Sequence, residues 1–364
     1  MNHRPTRAYI DLQALRHNLA LIKQHAPESR LMAIIKANGY GHGICKVAQQ
    51  LSNADGFGVT SIDEALLLRQ RGFLHRIVLL EGVFSPLELP IVIQNRLDIV
   101  VHCQEQIEWL LEYERHIHQL NVWVKIDTGM HRLGFHPDAV DSVVKQFQKY
   151  EKQFHLHFMS HMACADERGA LANKFNRKQV KCFEEVCKAH DYPKSLANSA
   201  AIFNLNQTHY EWVRPGISLY GCGEFKKSVR NQLRPVMRFE SEVLTLRWIQ
   251  EGESVGYGQR WQASRDTLLA VIGVGYGDGY PRHAKDGTPV LIHNTRVPLV
   301  GRVSMDMITV DVTDIADKVY PGDKAILWGD KALSADEVAA CSDTISYELL
   351  CGITSRVPIL EVRR

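Results

Sequence analysis

One feature restricts the fold more than any other. Between residue 31 and about residue 220, short apolar, β-branched runs alternate with longer stretches of helical period. The runs are Leu31–Ile35, Gly56–Val59, Arg76–Leu80, Leu97–Val101, Val122–Ile126, His155–Met159, Ser195–Ala197 and Glu211–Val213, eight in all. Helical patterns between them include 61–71, 104–116, 138–149 and 173–190, and Ser61-Ile-Asp-Glu64 reads as a capping box. Eight strands alternating with helices over about 200 residues predict a closed (β/α)8 TIM-type barrel. The rival, a doubly wound open sheet, normally carries GxGxxG after its first strand. Here that strand ends in Lys36-Ala-Asn-Gly-Tyr-Gly-His-Gly43, which lacks the spacing.

The flanks read differently. Asp11 to His25 carries Leu12, Leu15, Leu19 and Ile22, the stripe of an amphipathic helix. After residue 235, runs at 236–248, 267–274, 289–292, 297–300, 307–312 and 324–328 read as strands separated by turn signals such as Asp286-Gly287 and Pro321-Gly322. Two short helical patterns, 334–340 and 344–350, interrupt them. The expected organisation is an α/β chain: residues 1–235 as the barrel with its N-terminal helix, and 236–364 as a mostly β C-terminal domain.

Charge narrows the function. Forty-three Lys and Arg against 41 Asp and Glu leave a net +2, which argues against a nucleic-acid footprint or an anionic membrane surface. No apolar run approaches the roughly 20 residues that span a bilayer. No apolar segment follows Met1–Thr6, so we expect no secretory signal and a cytoplasmic location. The eight cysteines form no CxxC and the 17 histidines no HExxH, so we expect no metal site.

In a barrel, chemistry gathers where strands end. The first strand ends in Lys36, the fifth in Lys125-Ile-Asp-Thr-Gly-Met-His-Arg132-Leu-Gly134 and the sixth in Ser160-His161. The seventh ends in Asn198-Ser199-Ala200-Ala201 and the eighth in Arg214-Pro-Gly216-Ile217. Lys36 is either a lysine snorkelling to solvent or an amine set among cations for Schiff-base chemistry. Ser199, Gly216 and Ile217 are either a helix cap and a plain turn or the phosphate cradle that barrels carry in these loops. Gly273-x-Gly275-x-Gly277-x-Gly279 lies outside the barrel and reads as tight backbone, not a nucleotide loop. Asp127 and Asp306 read as structural hydrogen-bonding groups.

These residues, with Val255-Gly-Tyr257-Gly258, Gly275-Tyr276-Gly-Asp278-Gly, Gly301-Arg302-Val-Ser-Met305-Asp306, Tyr347-Glu348 and Arg356-Val-Pro358, occur in one order along nearly the whole chain. The chain resembles the alanine racemase family. The resemblance implies a pyridoxal 5′-phosphate (PLP) enzyme that interconverts L- and D-alanine and supplies D-alanine for peptidoglycan. It makes Lys36 the lysine that carries PLP and a base on one face, and Tyr257 the base on the other. His161 and Arg214 back Tyr257, and Arg214 also faces the pyridine nitrogen. Tyr40, Asn198, Ser199, Gly216, Ile217 and Tyr347 hold the cofactor with Lys36, His161 and Arg214. Arg132 and Met305 meet the substrate, and Asp166, Tyr276, Arg282, Arg302 and Tyr347 line the entrance. Lys125, carbamylated in some members, supports Arg132. Tyr257 and Met305 serve the partner's barrel, so the resemblance implies a homodimer with shared active sites. The alternatives are a broader-specificity amino-acid or serine racemase, a barrel decarboxylase, disfavoured by Arg214, and a non-catalytic PLP-binding protein, disfavoured by the second domain.

Overall fold

The computed structural model describes residues 4–223 and 227–362. Met1 to His3, part of the stretch read for a signal, lie outside the described residues. The chain opens with a short strand, β1 (Arg7–Ile10), then the helix Leu12–His25. Asp11 starts that helix by accepting from the backbone N–H groups of Gln13 at 2.9 Å and Ala14 at 3.1 Å. Its stripe of Leu15, Leu19 and Ile22 is buried.

Eight parallel strands follow: β2 (Arg30–Ile34), β3 (Gly56–Val59), β4 (Arg76–Leu79), β5 (Asp98–Val101), β6 (Leu120–Lys125), β7 (Phe154–Met159), β8 (Lys194–Asn198) and β9 (Trp212–Arg214). Each pairs with the next, and β9 closes on β2 through Arg30 with Trp212 and Leu31 with Val213. The barrel is therefore present as expected. Its strands are covered on both faces, inside by facing side chains and outside by helices, so they read as continuous apolar runs.

The capping box differs from expectation. Ser61 Oγ accepts from the Glu64 N–H at 3.3 Å. The Glu64 carboxylate reaches past the cap, accepting from the backbone N–H groups of Thr60 at 3.2 Å and Asn38 at 3.1 Å. It thus ties the helix Ile62–Gln70 to the turn that follows Lys36.

The second domain contains β10 (Met237–Ile249), β11 (Ser254–Val255), β12 (Trp261–Gln262), β13 (Thr267–Ile272), β14 (Pro289–Ile292), β15 (Thr295–Pro298), β16 (Ile308–Asp311), β17 (Lys324–Trp328) and β18 (Ile359–Glu361). The long β10 is its spine, pairing with β1, β13 and β17. Residues 7–10 were counted with the barrel by sequence, yet β1 lies in this sheet, between β10 and β18. Both ends of the chain therefore close the second domain. A continuous apolar cluster runs from the barrel into this sheet, joining Leu15, Ile34 and Tyr220 with Phe239, Tyr280 and Trp328.

Among the described residues no helix is long and apolar enough to cross a membrane, and no three His, Cys, Asp or Glu side chains gather as a metal site. The eight cysteines are unpaired.

Candidate active site

The rim is built first by the turn after β2. Ala37, Asn38, Gly39 and Tyr40 all take left-handed backbone angles, with φ of 52°, 54°, 63° and 51°. For non-glycine residues this conformation costs roughly 1–2 kcal/mol each, so the surroundings must enforce it. They do so locally. Asn38 Oδ1 accepts from Ile44 N–H at 3.0 Å, and the imidazole of buried His42 meets the Tyr40 carbonyl at 2.7 Å. The turn leaves Lys36 half-buried at the rim and buries Tyr40 between Tyr220, stacked at 4.6 Å, and Tyr347, at 5.8 Å. Burial first, then Tyr347 and Cys351, push the Tyr40 phenol upward, so it stays protonated and can donate.

Arg214, buried at the end of β9, organises the floor. Its Nη1 donates to Ser195 Oγ at 2.6 Å, and its Nη2 to the Ser160 carbonyl at 2.6 Å. Nη2 also meets His161 Nδ1 at 3.3 Å. A guanidinium only donates, so Nδ1 must accept there, which places the imidazole proton on Nε2. Burial, then the cations Arg214, Lys125, Arg132 and Lys36, push the His161 pKa well below its usual value, so the ring is neutral. Burial also lowers Arg214, to about 10, which leaves it charged at neutral pH. Lys125, at the end of β6, is lowered to about 8 by burial, then by Arg214, Arg132 and Lys36, with Glu81 opposing. Four cationic side chains thus surround one neutral histidine.

A second feature lies at the ends of β8 and β9. Asn198 caps the helix Ser199–Asn204, accepting from Ala201 N–H at 3.0 Å. Ser199 Oγ accepts from the N–H groups of Gly216 at 2.8 Å and Ser218 at 3.3 Å, and lies 3.0 Å from Ser218 Oγ. A methyl group at Gly216 would sit 2.6 Å from Tyr40 Oη, so the glycine is what lets the phenol reach this cradle. Beside it a cavity of about 110 Å³ is lined by Asn198, Ile217, Tyr347 and Asp166. The cradle is thus a set of neutral donors, the Gly216 and Ser218 N–H groups and the Ser218 hydroxyl, converging on one hydroxyl oxygen.

The residues from the second domain stand apart. Tyr257 is 68% exposed and Met305 is 52% exposed. Tyr276, Arg282 and Arg302 are exposed too, as are Arg132 and Asp166 on the barrel. The structure therefore brings together Lys36, Tyr40, Lys125, His161, Asn198, Ser199, Arg214, Gly216, Ile217 and Tyr347 within one chain, and leaves Tyr257 and Met305 open to solvent. Asp127 accepts from Gly129 and His131 N–H groups at 3.0 Å, a loop-holding role.

Sequence reading missed several supports. Ser195 and Ser160 hold Arg214, and Ser218 completes the cradle. Buried Gln179 donates to the His161 carbonyl at 3.0 Å and to Thr128 Oγ1 at 3.2 Å, linking the Lys125 and His161 loops. Ser218 sits two residues past Gly216 and could have been named with it. Gln179 lies mid-helix, where no local pattern distinguishes it.

Comparisons with known proteins agree on one family. A model of the alanine racemase N-terminal domain matches residues 10–224, and a model of the C-terminal domain matches residues 236–360. The alanine racemase of Vibrio cholerae is 47% identical over 354 residues, 96% of each chain. That of Photobacterium profundum is 46% identical over 356 residues, covering 96% of this chain and 97% of that one. The biosynthetic alanine racemase of Pseudomonas aeruginosa superposes with a TM-score of 0.94 at 42% identity, covering 99% of this chain and 100% of that one. The Bartonella henselae alanine racemase, solved with covalently bound PLP, superposes with a TM-score of 0.89 at 30% identity, covering 98% and 99%. The chain belongs to the alanine racemase family.

Proposed function

We propose that this protein is a PLP-dependent alanine racemase that interconverts L- and D-alanine and supplies D-alanine for peptidoglycan, acting in the cytoplasm as a homodimer. The observation that carries the reading is charged, buried Arg214 bonded to neutral His161, across one rim from the Ser199–Gly216–Ser218 cradle. The eight unpaired cysteines fit a reducing compartment.

The residues present fit PLP. Ser199 Oγ already gathers two backbone N–H groups, the phenol of Tyr40 reaches the same cradle, and Gly216 has no side chain to fill it. Ser199, Gly216, Ile217, Tyr40 and Tyr347 would hold the phosphate, with Asn198 fixing the loop. Lys36 would carry the cofactor, and Arg214, whose Nη atoms are engaged by Ser195, Ser160 and His161, would face the pyridine nitrogen. When bound, PLP supplies the electron sink that makes a substrate α-proton removable.

The protein's share is orientation and proton transfer. Lys36 Nζ moves a proton on one face of the substrate and Tyr257 Oη on the other, one taking while the other gives. His161 Nε2–H donates to the Tyr257 oxygen when that oxygen is ionised, and Arg214 behind Nδ1 stabilises the charge. Arg214, charged and fixed by its bonds to Ser195 and Ser160, would offer the pyridine nitrogen a donor and not a carboxylate acceptor. Arg132, backed by Lys125, binds the substrate carboxylate on one side and Met305 lines the other. Asp166, Tyr276, Arg282, Arg302 and Tyr347 form the entrance.

The exposure of Tyr257 and Met305 supports a site shared between subunits, each second domain supplying its partner's barrel. The test mixes two inactive proteins, Lys36→Ala and Tyr257→Phe. Random exchange makes half the dimers mixed, each with one complete site of two, so about a quarter of parental racemisation should return. No recovery after subunit exchange, with the parent active on alanine, would reject the shared site. A PLP-loaded parent that leaves L-alanine unchanged would reject the activity.

A further inference from the structure

The glycine series from Gly273 to Gly279 has no part in the chemistry above. Two of its members are contact surfaces for backbone. Tyr276 N–H donates to the Ser304 carbonyl at 3.1 Å, and Gly277 N–H to the Met305 carbonyl at 2.9 Å. A side chain at Gly275 would run into both of those carbonyls. The loop bearing Tyr276 and the loop bearing Met305 therefore run edge to edge, closer than any larger residue allows.

What locks the pair is a charge cluster drawn from four distant parts of the chain. Asp278 is 1% exposed. Its Oδ2 accepts from Arg4 Nη2 at 2.8 Å and from Gly275 N–H at 3.0 Å, and its Oδ1 lies 3.0 Å from Arg356 Nε. Arg356 Nη2 donates to Asp306 Oδ1 at 2.6 Å. Arg4 Nη2 also donates to the Asp306 carbonyl at 3.1 Å and the Gly273 carbonyl at 3.2 Å. Thr354, two residues before Arg356, donates from Oγ1 to the Gly277 carbonyl at 2.8 Å. Two arginines and two aspartates balance, and each joins one loop to the other or to the chain ends.

We propose that the Arg4–Asp278–Arg356–Asp306 cluster is a specificity device: Asp278 and Arg356 are positioning residues that hold the loop of Tyr276, at the entrance, and the loop of Met305, in the pocket, as one unyielding wall against a large substrate side chain. This rests on the racemase reading above. Tyr276 is 40% exposed and Met305 52% exposed on their own chain, so within that chain the backbone of their loops is held chiefly by the cluster. Excluding a side chain larger than methyl requires a wall that does not give, and an arginine bridging two carboxylates supplies that where a loop alone does not.

The test uses PLP-loaded parent, Arg356→Met, Arg356→Lys and Asp306→Asn proteins. Asp306 is the half-buried outer member, against 1% exposure for Asp278, so its variant keeps the proposal falsifiable should Arg356→Met fail to fold. The readout is kcat/KM for L-serine relative to L-alanine. In Arg356→Met that ratio should rise about tenfold, the scale on which small pockets discriminate one group. Asp306→Asn should move it the same way, and Arg356→Lys should restore part of it. Amide exchange at Gly275 and Gly277 should quicken in the same variants, a change visible without turnover. Arg296→Met, which cuts the Arg296–Glu337 pair elsewhere in the domain, should leave the ratio unchanged. A parent active on alanine, with the ratio in Arg356→Met and Asp306→Asn within about twofold of it, overturns the specificity role even if stability falls. A parent inactive on alanine but loaded with PLP overturns the racemase reading and this inference with it.

Discussion

Lys125 is the group whose chemistry the structure changes most usefully. Its amine is pushed to about 8 by burial and by Arg214, Arg132 and Lys36. At pH 7.5 about one such lysine in four is uncharged, against about one in a thousand at the ordinary value near 10.5. The population able to attack carbon dioxide is thus raised roughly 200-fold. Attack joins the lysine nitrogen to the carbon and releases one N–H proton, leaving a carbamate of charge −1. That replaces one of four clustered cations with an anion beside Arg132 and Arg214. The sign of the pH effect follows. A cationic group with a lowered folded pKa destabilises the fold while charged, and this penalty is fully present below about 8. It is relieved as pH rises toward 10.5, and carbamate formation relieves it earlier. Bicarbonate added to protein prepared in CO2-depleted buffer at pH 8 should therefore raise thermal stability and kcat/KM several-fold, add the mass of one CO2, and lose effect as pH falls toward 6. Lys125→Gln should not respond. Identical mass, stability and rate with and without bicarbonate from pH 7 to 9 would refute the reasoning.

Two further substitutions probe the barrel half. Gly216→Ala places a methyl group 2.6 Å from Tyr40 Oη, and the buried Tyr40 ring, stacked on Tyr220, must shift to admit it. Overpacking of this kind costs about 1–3 kcal/mol. Spectroscopic titration of apoprotein with PLP should show affinity reduced at least about tenfold, with circular dichroism unchanged. Asn38→Ala leaves a left-handed residue without its bond to Ile44 N–H, and urea unfolding should report a loss of about 2 kcal/mol.

The barrel was legible because its strands are buried on both faces, so Leu31–Ile34 and Val122–Val124 are apolar without interruption. Strands β1 and β18 were not, for opposite reasons. The first buries only Ala8 and Ile10, and the second is exposed along all three residues. Neither yields a hydrophobic period long enough to read; β1 exists because β10 offers it a partner, and β18 because β1 does. The rim was legible as residues at strand ends, but not as conformation. Nothing in Ala37 asks for a left-handed angle; the glycines and Asn38 around it do. Arg214 could be placed at the end of β9 by position, whereas its partners Ser195 and Ser160 come from the register of three neighbouring strands. The Gly273–Gly279 series reads as tight backbone from its glycines alone, yet what it packs against is set by residues 4, 306 and 356, which no local window joins.

The two halves of the site differ in kind, and that difference has a consequence for how activity depends on assembly. In the barrel, Arg214 and Ser199 are buried and hydrogen-bonded within their own chain, so on the proposed reading their orientation costs little when PLP binds. In the second domain, the cluster around Asp278 fixes the backbone of the Tyr276 and Met305 loops, but their side chains and Tyr257 remain exposed. On the proposed reading, a single chain is therefore competent to hold PLP while lacking an ordered environment for Tyr257 as second base. Cofactor binding and racemisation should separate on dilution: the first follows the folded barrel, the second the fraction of barrels covered by a partner's second domain.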